Sequence, residues 1–287
     1  MIRSVVAKFF HSQNKLSNRL LLLIFLLFPA SLKSALSSLE PSMPYLFHLD
    51  AAYSYAHIPS VQGAINPSNY KTNENKLILG GWMSTMSQLE LGVLFEFNQT
   101  VLLPFNLESG GFYIKKNFLD DFNGDSFGLD GGVLLQFVPL NRLIDPVTPY
   151  NALANFSLFG EIYKNFLFYQ DKGSIAPFLG LDLGIANRGY PWLDPVVGGR
   201  LSYDKFLAEL AFLGNFGFGP SKVINLANFA GYAFTAYRTI DIEVSIGSQI
   251  LDEGFFQVSY SKRLVSQASP KGRQSLLIQL DLPIPLF

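Results

Sequence analysis

Residues 89–97 read Leu-Glu-Leu-Gly-Val-Leu-Phe-Glu-Phe. At about 180° per residue Leu89, Leu91, Val93, Phe95 and Phe97 share one face and Glu90, Gly92, Leu94 and Glu96 the other. At about 100° per residue the same side chains scatter round a cylinder. The segment is a strand whose two faces suit two different solvents. Working outward, the same alternation predicts strands over residues 47–56, 76–84, 127–137, 156–163, 179–185, 197–203, 206–212, 227–237, 240–247, 255–262 and 276–284, with 111–116 a weaker instance. The clearest hairpin joins 197–203 to 206–212 through only Asp204 and Lys205. Asn123-Gly124 reads as a turn.

Composition narrows the class. Charged residues are 15% of the chain, against about 25% in soluble domains. Mean hydropathy is +0.24. Even so, no apolar run after Phe28 reaches the roughly 20 residues a membrane helix needs. With no Cys there is no disulfide framework and no thiolate metal site. A closed ladder of strands is then the structure that can satisfy every backbone polar group in hydrocarbon.

Residues 1–37 read as a cleaved export signal. Arg3, Lys8, Lys15 and Arg19 lead into the apolar run 20–28, Pro29 breaks it, and Ala35 and Ser37 suit a signal-peptidase site. The expected mature domain is 38–287. The leader holds five of the 21 basic residues and none of the 22 acidic ones, leaving 16 against 22. An acidic balance of this kind excludes nucleic acid as a partner of choice.

The alternative to a lipid-facing barrel is a soluble periplasmic sandwich or barrel with its apolar face inward. A soluble exterior wants Lys, Glu and Arg densely mixed, whereas the polar faces here are thin and rich in Gly, Ala and Ser. Rings near strand ends, such as Tyr53, Tyr55, Tyr203, Phe206, Phe256 and Tyr260, suit the girdles where lipid meets water.

With its export signal, strands of about ten residues and final Phe287, the chain resembles the outer-membrane β-barrel proteins of Gram-negative bacteria. The resemblance implies an all-β, transmembrane, antiparallel up-and-down barrel. It also implies residence in the bacterial outer membrane, outer-membrane lipid as solvent, and insertion by the outer-membrane assembly machinery. Even strand numbers are the rule, so 12 strands are expected, with 10 or 14 as alternatives. The chain departs from the usual ending: Pro283 and Pro285 interrupt the last strand, and Phe287 is out of phase with Ile278, Leu280, Leu282 and Ile284.

If the apolar face meets lipid, the alternate residues line the interior. The acids there are Glu90, Glu96, Asp130, Glu161, Asp182, Glu209, Asp241 and Glu243, with Asp50 and Asp281 on the same phase. Lys115 and Arg200 are the clear bases. That imbalance attracts cations and repels anions, so the expected function is a passive pore for small solutes with a cation-preferring lumen. Leu94, Leu134, Phe159, Phe178, Leu213 and Phe234 also point inward by this phasing and would partly fill it. A non-conducting structural or surface-interaction barrel is the alternative.

A membrane lipid hydrolase is a third reading. His48 beside Asp50, or His57 near Ser60, would have to supply the base. Two mature-chain histidines without Cys make a poor metal site, and no cofactor motif occurs. Asp121, Asn123 and Asp125 resemble the start of a calcium loop, but Gly124 is misplaced and Gly132 stands where the bidentate Glu belongs. The expectation is a turn.

The two-solvent assignment has a direct test. Val93→Arg is expected to destabilise the inserted protein by about 2–4 kcal/mol if the site lies near the bilayer midplane, while Glu90→Gln costs little. Unfolding titrations in lipid vesicles read both, and equal tolerance would reverse the faces.

Overall fold

The computed structural model describes residues 46–85, 88–121, 124–168, 172–250 and 254–284. The leader, Asn123, Pro285 and Phe287 lie outside these residues. Twelve long strands form the barrel: β1 (Phe47–Ile58), β2 (Thr72–Ser84), β3 (Leu89–Gln99), β4 (Asn106–Leu119), β5 (Gly128–Phe137), β6 (Ala154–Tyr163), β7 (Gly173–Ala186), β8 (Trp192–Tyr203), β9 (Phe206–Gly217), β10 (Arg238–Gln249), β11 (Phe255–Gln267) and β12 (Gln274–Ile284). Each pairs antiparallel with its sequence neighbour. β12 pairs with β1 from Phe47 opposite Ile284 to His57 opposite Gln274, and this closes the barrel. A short extra strand, Phe166–Phe168, adds to β7 beside the barrel.

The pleat sorts the side chains as two solvents require. In β1, His48, Asp50, Ala52, Ser54 and Ala56 are buried while Leu49, Tyr53 and Tyr55 are exposed. Val93, Phe95, Leu179, Val197, Val244, Ile246 and Ile278 continue the exposed apolar band on other strands. Exposed rings sit at both rims: Phe118, Tyr203 and Phe206 at one, Tyr55, Phe137 and Tyr190 at the other. An outside that is apolar and an inside with many buried polar groups is the inverse of a soluble fold.

The expected number of strands is found, although two assignments change. Residues 111–116, the weak candidate, belong to the long strand β4. Its pattern is hard to read because bulges interrupt its pairing at Glu96/Phe97 and at Asn117/Leu119. Residues 227–237 form no barrel strand. They begin inside a short 3-10 turn, Leu226–Asn228, and Gly231 at φ +92° bends the chain. Phe229 and Tyr232 are buried in a loop cluster, Ala233 is buried beside Tyr232 in the chain, and Phe234 is exposed on a loop instead of filling the lumen.

Those two changes resolve the connections into alternating classes. One rim carries the strand ends that join β2 to β3, β4 to β5, β6 to β7, β8 to β9 and β10 to β11; the other carries 59–71, 100–105, 138–153, 187–191, 218–237 and 268–273. Asp204 takes φ +53° in the two-residue hairpin, the left-handed backbone such turns use. Beyond Asp281, β12 keeps β1 as a partner while its pairing with β11 has ended, so Pro283 sits where the ladder is one-sided. Asp121 accepts hydrogen bonds from Asn165 N at 2.6 Å and Asn165 Nδ2 at 2.8 Å, a role in tying adjacent turns together.

Inward glycines have a packing role beyond bending the sheet. Gly92 faces Tyr113, Gly132 faces Phe159, Gly184 faces Trp192 and Gly198 faces Phe178 as direct cross-strand pairs. Each ring lies over its glycine: a Cβ on Gly92 would come within 2.2 Å of the Tyr113 ring, and one on Gly184 within 1.9 Å of Trp192. The missing side chain is what lets a large ring lie flat against the wall.

Overpacking of such a site typically costs about 1–3 kcal/mol. Gly92→Ala and Gly184→Ala are each expected to fall in that range in vesicle unfolding titrations. Gly199→Ala, whose Cβ would meet nothing within 4 Å, is expected to be neutral.

Candidate functional site

Because neighbouring strands are locked in register, inward charges meet across strands in defined sets. Glu90 lies opposite Lys115, and Lys115 Nζ stands 3.8 Å from Glu90 and 3.5 Å from Asp130. The Tyr113 hydroxyl donates to Glu90 at 2.8 Å, and Asn117 Nδ2 donates to Asp130 at 2.9 Å. Arg200 lies opposite Glu209, pairs with it at 2.6 Å, and reaches Glu161 at 2.9 Å across β7. Its guanidinium covers the Phe178 ring at 4.4 Å.

A third set gathers around Lys76, whose Nζ lies 2.9 Å from Glu108, 3.6 Å from Glu96 and 3.9 Å from Glu74. Asn98 Nδ2 donates to Glu108 at 2.8 Å and to Glu74 at 3.2 Å. Arg273 adds a second cation on Glu74 at 3.1 Å. In the fourth set Arg263 grips Asp241 with two bonds, 2.7 and 2.8 Å. A fifth contact is His48 Nδ1 to Asp281 at 2.7 Å, with the imidazole stacked on Trp82 at 3.9 Å between centroids.

Of the acids expected on the inner face, Glu90, Asp182 and Asp241 are buried, as is Asp50, and Glu90, Glu96, Asp130, Glu161, Glu209 and Asp241 enter the cross-strand ion pairs with Lys115, Lys76, Arg200 and Arg263. Asp182 and Asp194 stand directly opposite each other on β7 and β8. The expectation that inward bases are few needs correction, because Lys76, Arg263 and Arg273 join Lys115 and Arg200. Lys76 was legible, in phase with Ile78, Gly80 and Trp82. Arg263 keeps the phase of Gln257, Ser259 and Ser261 but lies one residue past the predicted strand 255–262, and the register shift at Leu264 follows it. Arg273, Glu74, Glu108 and Asp194 lie outside the bounds that alternation gives to the strands 276–284, 76–84, 111–116 and 197–203.

Large inward side chains crowd one side of the barrel. Trp82, Tyr113, Leu134 and Phe159, with Leu94, form one cluster; Phe178, Val196 and Ala211, with Tyr163 and Leu213, form another. The sector from β10 to β12 is lined instead by small hydroxyls, with Ser245 bonded to Ser259 at 2.8 Å and Ser261 to Ser275 at 2.6 Å.

At the rim of long connections, residues 138–153 fold inward. Arg142 donates to the carbonyls of Leu107 at 3.0 Å and Pro104 at 2.9 Å. Asp145 accepts from the Tyr70 hydroxyl at 3.0 Å, from Val147 N at 2.9 Å and from the Thr100 hydroxyl. Burial pushes the Asp145 carboxyl above its ordinary pKa, with those hydrogen bonds opposing the shift. The Tyr150 hydroxyl reaches Glu96, and the Tyr232 hydroxyl bonds the Pro146 carbonyl. Ile58, Val61, Tyr70, Val147, Ile224 and Phe229 make an apolar cap above this loop. Beneath it lies a cavity of about 370 Å³, bounded by strand side chains and by Pro146, Val147 and Tyr150.

His48 is engaged by Asp281 and Trp82, and His57 Nδ1 meets Asn73 at 2.8 Å on an exposed site. Among the described residues no group of His, Asp and Glu is arranged to hold a metal ion.

Solved structures with a similar fold include an outer-membrane channel and a porin. An outer membrane channel from Pseudomonas putida F1 superposes with a TM-score of 0.61 at 14% identity, covering 85% of this chain and 97% of that one. The NanC porin superposes with a TM-score of 0.50 at 10% identity, covering 82% of this chain and all 100% of that one. No protein-family model matches the sequence. No curated protein matches it either. The fold, a closed twelve-strand antiparallel barrel with an apolar outer face and a polar interior, is that of outer-membrane β-barrel proteins.

The Arg200 set provides a test of the inner wall. Arg200→Met strands Glu161 and Glu209, whose side chains are 12% and 10% exposed, and is expected to cost up to about 3–5 kcal/mol, less where lumen water reaches them. Adding Glu209→Gln is expected to recover part of that loss in a double-mutant cycle.

Proposed function

We propose that the chain is a passive outer-membrane pore for small solutes, with a lumen that prefers cations. The observation that carries this reading is the polar strip of β10–β12. There Gln257, Ser245, Ser259, Ser261, Ser275 and Gln279, with the Arg263–Asp241 pair, keep the inner wall hydrophilic, opposite the crowded aromatic sector. With Ser245, Ser259, Ser261, Gln257 and Gln279 each under a tenth exposed, the strip is a packed polar wall that continues below the cavity under the inward loop, and we read that polar side of the barrel as the path of a narrow lumen. The outer-membrane channel and the porin cited above, as similar folds, support the same general reading.

Selectivity follows from the charge inventory. Even with Lys76, Lys115, Arg200, Arg263 and Arg273 counted, inward carboxylates outnumber inward bases among the described residues. Low-dielectric walls concentrate the field of that excess along the lumen. By the rule that periplasmic turns are short and extracellular loops long, the capped rim with residues 138–153 faces outward and the serine strip continues to the periplasmic mouth.

The inward loop also favours a second reading, a barrel that does not conduct until the cap moves. Tyr150 and Asp145 tie that loop to strand and loop groups at once.

Planar-bilayer recording decides between them: folded protein is expected to give discrete channels in KCl, and none would end the pore reading. Neutralising Glu90, Glu96 and Asp130 together frees Lys115 and Lys76 from carboxylates they now contact. The reversal potential in a KCl gradient is therefore expected to move toward anion preference. An unchanged reversal potential would end the electrostatic part.

A further inference from the structure

We propose that the cavity under the inward loop is a binding chamber for a small organic diammonium ion. The proposal rests on the pore reading for its route of access and names the solute class the lumen retains. The chamber's cations already have partners. Arg263 is held by Asp241, Arg273 by Glu74, and Lys76 by Glu108, Glu96 and Glu74. An anionic ligand would have to displace internal carboxylates to reach them, and leave those carboxylates uncompensated.

Acidity is distributed on two sides of the same space. Asp50 projects from β1, while Asp182 and Asp194 project from β7 and β8, and all three line the cavity. In a closed ring of twelve strands β1 and β7 are six places apart, diametrically opposed. A ligand with one positive charge can answer one side, whereas one with a charge at each end can engage both, directly or through water bridging the remaining gap.

Independent of charge, the wall carries buried polar atoms that the protein leaves for a ligand to satisfy. Thr239 and Ser269 are 3% and 2% exposed, line the cavity, and their hydroxyl oxygens have no protein hydrogen-bond partner. Asp50 is 8% exposed, and its Oδ1 is in the same condition. Buried polar groups are normally satisfied, and all three oxygens can accept from N–H. The rings of Tyr113 and Trp192 complete the lining, and ring faces favour ammonium and its adjoining methylenes. Acceptors on a polar wall, aromatic faces and two opposed acidic sides are together the complement of an alkyl chain with an ammonium at each end.

Trp192 lines the chamber, and Trp82 is the other tryptophan of the chain, so intrinsic fluorescence reports binding without any assay of transport. The detergent-folded protein is titrated with putrescine, with butylamine as the one-charge comparison and 1,4-butanediol as the uncharged one. The expected result is a saturable change with putrescine at least tenfold tighter than with butylamine and absent with butanediol. Asp50→Asn is expected to weaken putrescine at least tenfold, and Thr239→Val to weaken it while leaving the charge unaltered. Equal affinity for putrescine and butylamine, or no binding of either, overturns the proposal. So does wild-type affinity in folded Asp50→Asn. If that variant does not fold, as read by heat-modifiable gel migration, the comparison of the two amines on the wild type decides alone. Bilayer recording in KCl separates the two readings. Channels without putrescine binding sink the chamber and leave the pore, whereas binding without channels sinks the pore and leaves the chamber.

Discussion

The pairing of β1 with β12 is the contact on which the rest of this structure depends. In hydrocarbon an unpaired amide or carbonyl finds no water, and a sheet with two free edges would expose a row of them. Closing the first strand on the last removes both edges along the length of the ladder. Once the ring is closed, side-chain period two leaves each strand one lipid face and one lumen face. The polar groups of the chain are then concentrated in a shared interior.

That interior is organised by register. Cross-strand neighbours such as Glu90 with Lys115 and Arg200 with Glu209 are fixed by the ladder, so the long basic side chains need little freedom to find their acids. Glycines opposite aromatic rings follow the same logic: a ring can lie flat only where its neighbour has no Cβ. The result is a lopsided lumen, with rings stacked toward β2–β8 and hydroxyls along β10–β12. A loop held by Asp145, Arg142 and Tyr150 narrows one mouth.

Much of this was legible beforehand because alternation is a local property. The faces of 47–56, 89–97, 206–212 and 276–284 follow from hydrophobicity alone, as does the inward phase of Glu90, Glu96, Asp130, Glu161, Asp182, Glu209, Asp241 and Glu243. The failures share a cause. β4 carries bulges that break period two, so a strand of full length looked doubtful. Residues 227–237 alternate well enough to imitate a strand, yet Phe229 and Tyr232 are spent on the cap. Arg273 and Glu74 sit past the apparent strand ends, where local pattern carries no phase.

By itself the sequence determined that the chain forms strands with two unlike faces and that no apolar run after Phe28 is long enough for a helical membrane crossing. Those conclusions need only the period of the side chains and the thickness of hydrocarbon. The tertiary structure alone decided which charges meet, which loop enters the lumen and on which side the rings gather. Each of those depends on residues far apart in the chain, brought together by register, by bulges and by closure of the ring. No window of neighbouring residues contains that information.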